Sequence, residues 1–222
     1  YRDRCLEAIA RLSEAAGGWP PFRLSEQDHL GVLPRVQLSL KISALTSRLD
    51  PIDQDGTYRT VAARLRPIVE LAAARSCGLI FDMEQAESKD LLLTIFRRLF
   101  SEDPYRSFPQ AGLALQAYHR ETAQDVRELI AWTERRGTPV TIRLVKGAYW
   151  DSDTVRHHQM GWPVPLFEHK ADTDANYEAL VPLLLRHRDV IRPAFGTHNL
   201  RSLAVIEATA ESLGEIGRAS CR

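Results

Sequence analysis

Five short apolar runs in this chain each end on polar or charged side chains, and those side chains are its candidates for chemistry. The runs are Val36–Ile42, Gly78–Met83, Gly112–Gln116, Val140–Val145 and Ile191–Thr197. The first carries Lys41 at its end, the second Asp82 and the third Gln116. The fourth carries Arg143 and leads into Lys146, and the fifth leads into Thr197-His198-Asn199. A charge in an apolar strand is costly unless it meets a partner or a ligand. Lys41 with Asp82 alone would be unremarkable as an ion pair, but five strand ends in succession point to a shared ligand site. The fourth run, Thr141-Ile142-Arg143-Leu144-Val145-Lys146-Gly147-Ala148-Tyr149-Trp150, is the most informative. Strand alternation puts Arg143 and Val145 on one side and Leu144 and Lys146 on the other. Gly147 permits a sharp turn or the close approach of a ligand to the backbone. Two cations, a glycine and two aromatic rings suit a ligand with an anionic part and a planar ring, such as a nucleotide-type cofactor. An exposed strand end with ordinary aromatic packing fits the same residues.

The elements that must position these residues alternate. The apolar runs are too short for helices and rich in Val, Ile and Leu, so they read as buried strands. Helical spacing links Val61, Leu65, Ile68, Val69 and Ala72. It also links Leu91, Leu92, Ile95, Phe96 and Leu99, with Ser88 as N-cap. Val126, Leu129, Ile130 and Thr133 mark a third helix, which Gly137 is placed to stop. Tyr177, Leu180, Val181, Leu184 and Leu185 mark a fourth. Leu6, Ile9 and Leu12 mark a leading helix, and Ala204–Leu213 a closing one. Alternation of this kind implies a parallel sheet with covered faces, whose strand ends converge where active sites form. About five strands fit an open α/β sheet or most of a (βα)8 barrel. Gly17-Gly18-Trp19-Pro20-Pro21 separates the leading helix from the first strand. The stretch 214–222 has no periodicity and reads as a non-native tail, so that the natural chain would continue differently past about Leu213.

Composition excludes several classes. The chain has 222 residues, with 29 Lys and Arg, 29 Asp and Glu, and a formal net charge of 0. It has no global electrostatic drive toward nucleic acid. No apolar stretch is long and charge-free enough to span a bilayer, and nothing reads as a signal peptide. Cys5, Cys77 and Cys221 are widely spaced and read as reduced thiols of an intracellular protein. Neither a G-x-G-x-x-G nor a Walker A motif supports a phosphate cradle, and no G-x-S-x-G elbow is present. Histidine spacing suggests no metal site, and His157-His158 reads as a solvated loop pair. Arg97-Arg98 reads as a solvated helix face.

The string Leu38-Ser39-Leu40-Lys41-Ile42-Ser43-Ala44-Leu45 resembles the first barrel strand of proline dehydrogenase, most closely that of bifunctional proline-utilisation enzymes. Phe81-Asp82-Met83-Glu84, Ala114-Leu115-Gln116-Ala117-Tyr118, Arg143–Asp151, Lys170-Ala171-Asp172-Thr173-Asp174 and Phe195-Gly196-Thr197-His198-Asn199 resemble further motifs of that family in the same order. The resemblance covers about Val36 to Asn199, and its Arg143–Asp151 string is highly specific.

The resemblance implies a (βα)8 TIM-type barrel that binds FAD and oxidises L-proline to Δ1-pyrroline-5-carboxylate, passing electrons to a membrane quinone. It implies residues 1–35 as a leading helix and linker, and 36–213 as a partial barrel of about five strands. Lys41 would bind the proline carboxylate with Asp82 beside it. Gln116 would bond the flavin's polar edge, and Arg143 would donate toward its redox-active ring. Lys146, Gly147 and Ala148, with Val145, would hold the cofactor's central region, and Trp150 would pack on it. Lys170, Thr197 and His198 would complete the site. Arg143, Lys41 and Asp82 form the catalytic group, and no metal is implied. A cytoplasmic place, peripheral at the inner face of the bacterial membrane, and a flanking aldehyde dehydrogenase domain go with the family. Two departures stand out. Glu168-His169 replace the Thr-Arg of many relatives. The last strands, with a closing helix bearing paired arginines, are not found, so the chain is expected to be C-terminally truncated and inactive alone. A lysine at a barrel strand end also suits a Schiff-base aldolase, and a non-catalytic fragment is a third reading.

Overall fold

The computed structural model describes residues 1–22 and 26–214. Its helices are α1 (Arg2–Gly17), α2 (Gln54–Ala74), α3 (Lys89–Leu99), α4 (Thr122–Arg136), α5 (Trp150–Met160), α6 (Lys170–Arg186) and α7 (Leu200–Ser212). Its strands are β1 (Gln27–Asp28), β2 (Gly31–Val32), β3 (Val36–Leu40), β4 (Cys77–Phe81), β5 (Ala111–Gln116), β6 (Val140–Val145) and β7 (Ile191–Gly196). Strands β3 to β7 form one parallel sheet in sequence order, the βα arrangement of a TIM-type barrel, with five strands among the described residues. The pairing of β3 with β4 sets Leu40 beside Phe81, and the pairing of β4 with β5 sets Phe81 beside Leu113.

Strands β4 and β5 are buried at every position, which explains their unbroken apolar reading. Strand β6 alternates instead. Val140, Ile142 and Leu144 are buried, and Thr141, Arg143 and Val145 are half-exposed. The helices stop and start where local chemistry dictates. Asp53 caps α2 by accepting from the Gly56 N–H at 2.9 Å, and Asn199 caps α7 by accepting from the Ser202 N–H at 3.1 Å. Gly137 ends α4 with φ +75°, a left-handed conformation that favours glycine.

Five readings change. Ser88 occupies the cap of α3, but its side chain makes no capping bond. The first strand stops at Leu40, and Ile42 lies in a 3-10 turn. The second strand stops at Phe81, so Asp82 and Met83 lie past its end. The short antiparallel pair β1–β2 falls inside what the sequence offers as a linker. Residues 150–160 are a helix, so His157 and His158 are not a loop pair: His157 is buried, its Nδ1 2.7 Å from the Asp153 carbonyl, while His158 faces water. Of the expected tail 214–222, all but Gly214 lies outside the described residues.

The chain divides into two compact units. Among the described residues, the first holds Tyr1–Met83, Glu87–Leu113 and Thr138–Val140, and the second Glu84–Ala86, Ala114–Gly137 and 141–214. In the first, Phe81 meets Phe96 and Phe100 edge-on at 5.3 and 5.7 Å, and Phe100 stacks on Phe108 at 6.1 Å. Such ring pairs contribute about 0.5–1.5 kcal/mol each beyond their burial, and they fix the strand end that presents Asp82.

Candidate functional site

In the first unit, Lys41 and Asp82 are the residues immediately after β3 and β4. The Asp82 N–H donates to the Leu40 carbonyl at 2.9 Å, so the ladder continues one residue past the strands and carries the two side chains on adjacent chains. Lys41 is exposed and Asp82 half-buried. The Lys41 N–H donates to the Tyr1 hydroxyl at 3.3 Å, which brings the start of α1 to this end of the sheet. Burial pushes the Tyr1 hydroxyl pKa up, with the Cys5 and Asp82 charges adding to the rise and the Lys41 N–H opposing it.

In the second unit, three loops are bonded together. Backbone donors at Ala117 and Tyr118 reach the carbonyls of Val145 and Lys146 at 2.8 and 2.9 Å, tying the loop after β5 to the end of β6. The segment before α6 runs antiparallel to the same loop. His119 bridges Leu166, the Phe167 N–H donates to the Tyr118 carbonyl at 2.8 Å, and the Arg120 guanidinium donates to the Leu166 carbonyl at 2.9 Å. Glu168 accepts from Arg120 at 3.4 Å. Trp150 opens α5 and donates its indole N–H to the Phe167 carbonyl at 2.8 Å.

Gln116 is buried, its Oε1 accepting from His119 Nε2 at 3.2 Å and its carbonyl accepting from the Thr122 hydroxyl at 2.6 Å. Arg143 and Val145 share the half-exposed side of β6, as strand alternation requires. Gly196 makes room for Val145, since a Cβ there would sit 2.9 Å from Val145 Cγ1. Thr197 and His198 follow β7. The Thr197 hydroxyl oxygen accepts from the Asn199 N–H at 3.1 Å, and His198 is exposed. Lys146 and Lys170 are brought together: Lys146 Nζ lies 2.5 Å from Asp174 Oδ1, and Lys170 Nζ 2.5 Å from Asp174 Oδ2. Burial opposes ionisation of Asp174, but the two lysines outweigh it and hold the carboxyl below the usual range.

Gly147 has φ +135°, and a Cβ there would land 1.8 Å from Tyr118 Cδ1. The close approach that glycine permits is therefore made by the Tyr118 ring, not left for a ligand. Tyr118 is buried, and its hydroxyl donates to Asp153 Oδ2 at 3.3 Å; the same oxygen accepts from the Ala86 N–H at 3.2 Å. Burial, then the Asp153 carboxylate, push the Tyr118 pKa far up. Sequence reasoning gave no role to Tyr118, Asp153, Arg120 or Asp174. Only the four-residue step from Lys170 to Asp174 carried a readable signal.

The proline dehydrogenase family matches residues 1–219. The chain belongs to that family. It is similar to the bifunctional protein PutA of Salmonella typhimurium, 32% identical over 177 residues, which cover 79% of this chain and 13% of the relative. It is also similar to proline dehydrogenase 1 of Bacillus subtilis, 29% identical over 143 residues, which cover 64% of this chain and 40% of the relative. Among solved structures it superimposes on proline utilization A of Bdellovibrio bacteriovorus inactivated by N-propargylglycine. That match has a TM-score of 0.93 and 38% identity, covering 96% of this chain and 22% of the other. The chain thus spans well under half the length of these curated relatives. No described helix is long and apolar enough to cross a membrane.

Proposed function

We propose that this chain provides the proline-oxidising part of a flavoenzyme, with residues 36–213 as its barrel segment behind the leader 1–35. The observation that carries the reading is the family match joined to a guanidinium, Arg143, on the half-exposed side of β6 with Lys146 just past its end. The donor set of the second unit suits FAD. It offers an amide at Gln116, a guanidinium at Arg143, ammonium groups at Lys146 and Lys170, a hydroxyl at Thr197 and an imidazole at His198. These groups match a polar ring edge and a pyrophosphate.

Bound FAD would supply the acceptor for the hydride equivalent leaving L-proline. The rest is the work of the side chains. Arg143 is assigned to the redox-active ring, where a fixed positive charge favours the negative charge that develops. Gln116 is held by His119 and is assigned to the ring's polar edge. Lys146 and Lys170 take the phosphates, with Val145, Gly147 and Ala148 lining the same stretch and Trp150 packing on it. Thr197 and His198 complete the cofactor site. Lys41 is assigned to the proline carboxylate, with Asp82 beside it. The acceptor of the electrons is a membrane quinone, which places the protein in the cytoplasm at the inner membrane face, and an aldehyde dehydrogenase domain on the same polypeptide would consume the product. The family match lends the Schiff-base aldolase reading no support.

The test is a titration with FAD, followed by flavin absorbance, and an assay of proline with an artificial acceptor, both in a natural protein that carries the chain. We expect bound flavin, bleaching by proline, and inactivation by N-propargylglycine. Lys41→Ala should raise the proline KM about tenfold or more while flavin content stays unchanged, because a charge-assisted contact to a carboxylate is worth about 1.5–3 kcal/mol. Purification of that variant without flavin would move Lys41 into the cofactor site, and a carrier protein that never takes up flavin would end the reading.

A further inference from the structure

We infer that Asp174 is a positioning residue for a phosphate-class anion: one carboxylate holds Lys146 and Lys170 together and so fixes two ammonium groups at one place. This rests on the flavin reading above, and deepens it by a residue that reading does not use.

The lysines come from different elements. Lys146 follows β6 and Lys170 begins α6, and 28 residues separate Lys146 from Asp174. Each takes one carboxylate oxygen at 2.5 Å. The Lys146 and Asp174 side chains are only 21% and 26% exposed, while Lys170 is 76% exposed. The Tyr177 ring, less than one turn along α6, lies 5.6 Å from Lys146 Nζ and confines it from a second direction.

The choice of lysine supports the inference. Only four of the 29 Lys and Arg residues are lysines: Lys41, Lys89, Lys146 and Lys170. An arginine presents a rigid fork that favours two parallel bonds to a carboxylate, whereas a lysine binds as a compact point charge. A lysine takes one oxygen and keeps two further N–H donors. The cluster therefore has a net charge of +1 and donors left to aim. An exposed pair four residues apart contributes little stability by itself, and a merely stabilising pair would not require Lys146 as well.

The test separates position from charge because they predict opposite signs. A natural protein that carries the chain, with Asp174→Asn, Asp174→Glu and Lys146→Met variants, is titrated with FAD and with riboflavin, which lacks phosphate. Asp174→Asn removes a negative charge, so a site governed by charge alone would bind FAD more tightly. Positioning predicts FAD binding weakened about tenfold, the scale of one charge-assisted hydrogen bond. Riboflavin should be unchanged, and Asp174→Glu should recover part of the loss. A second readout needs no flavin: lysine acetylation followed by mass spectrometry should find Lys146 slow in the native chain and about tenfold faster in Asp174→Asn. Equal or tighter FAD binding by Asp174→Asn, an equal loss for riboflavin, or an unchanged Lys146 rate would overturn the inference and leave the flavin reading standing. A native carrier protein that takes up neither FAD nor riboflavin would overturn both.

Discussion

Gly147 shows how a single residue type can have a different cause from the one its neighbours suggest. Among cations and aromatic rings, a glycine invites the reading that a ligand needs the space. The space is filled by Tyr118, whose ring is held beneath Gly147 while its hydroxyl is tied to Asp153. Positive φ and a filled Cβ position are two separate penalties for any other residue. Each typically costs about 1–3 kcal/mol. Gly147→Ala should therefore lower stability by about 2 kcal/mol or more, read from urea unfolding followed by circular dichroism. In a Tyr118→Ala background, where the space is open, Gly147→Ala should cost less than it does in the native chain. An unchanged midpoint in Gly147→Ala would show that the loop simply moves aside.

At the scale of elements, the first unit joins α2 to the turn after α3 through one carboxylate. Glu102 accepts from the Tyr58 hydroxyl and from Arg66 Nη2 at 3.0 Å, while Arg98 lies 4.0 Å over the Tyr58 ring and pairs with Asp55 at 2.6 Å. Burial raises the Glu102 pKa, but the bonds from Tyr58 and Arg66 outweigh it and hold the carboxyl below its ordinary range. A carboxylate whose pKa is lower folded than unfolded stabilises the fold above the unfolded value, and that contribution is lost as pH falls through the folded one. Glu102→Gln should cost about 1–2 kcal/mol near neutral pH. The gap from the native chain should stay level down to about pH 5 and shrink below about pH 4. Urea midpoints measured across that range check it, and a gap that widened on acidification would contradict the assigned network.

The whole molecule keeps its fold across large sequence change. At 38% identity the match to the Bdellovibrio bacteriovorus structure still reaches a TM-score of 0.93. Burial pattern and volume carry that fold, and most individual side chains do not. The same interior protects the thiols of Cys5 and Cys77. Cys77 opens the fully buried β4, and burial pushes its pKa up to about 11; burial also raises Cys5. At pH 8 a thiol of that kind is about one part in a thousand thiolate, the reactive form. Alkylation at pH 8, followed by mass spectrometry of the Cys5 and Cys77 peptides, should be slow in the native chain and fast in guanidinium. Fast labelling of Cys77 without denaturant would mean that β4 opens locally.

The sequence by itself determined the strands, the main helices and the polar residues at the strand ends. Those features are local: a strand buried on both faces must be apolar throughout, a helix face repeats every three to four residues, and Gly137 stops α4 where left-handed backbone is needed. The assignment of Arg143 and Val145 to one side of β6 follows from alternation alone. Partners were not determined in this way. Periodicity says which face a residue occupies, not what lies opposite once the loops close. The tertiary structure chose Asp174 for Lys146 across 28 residues, and Asp153 for Tyr118 across 35. It also placed 150–160 in a helix whose polar first turns hide its burial, and so took His157 out of water. A buried polar group is stabilised by the atoms that reach it in space, and for Lys146, Tyr118 and His157 those atoms are fixed only when the chain has folded.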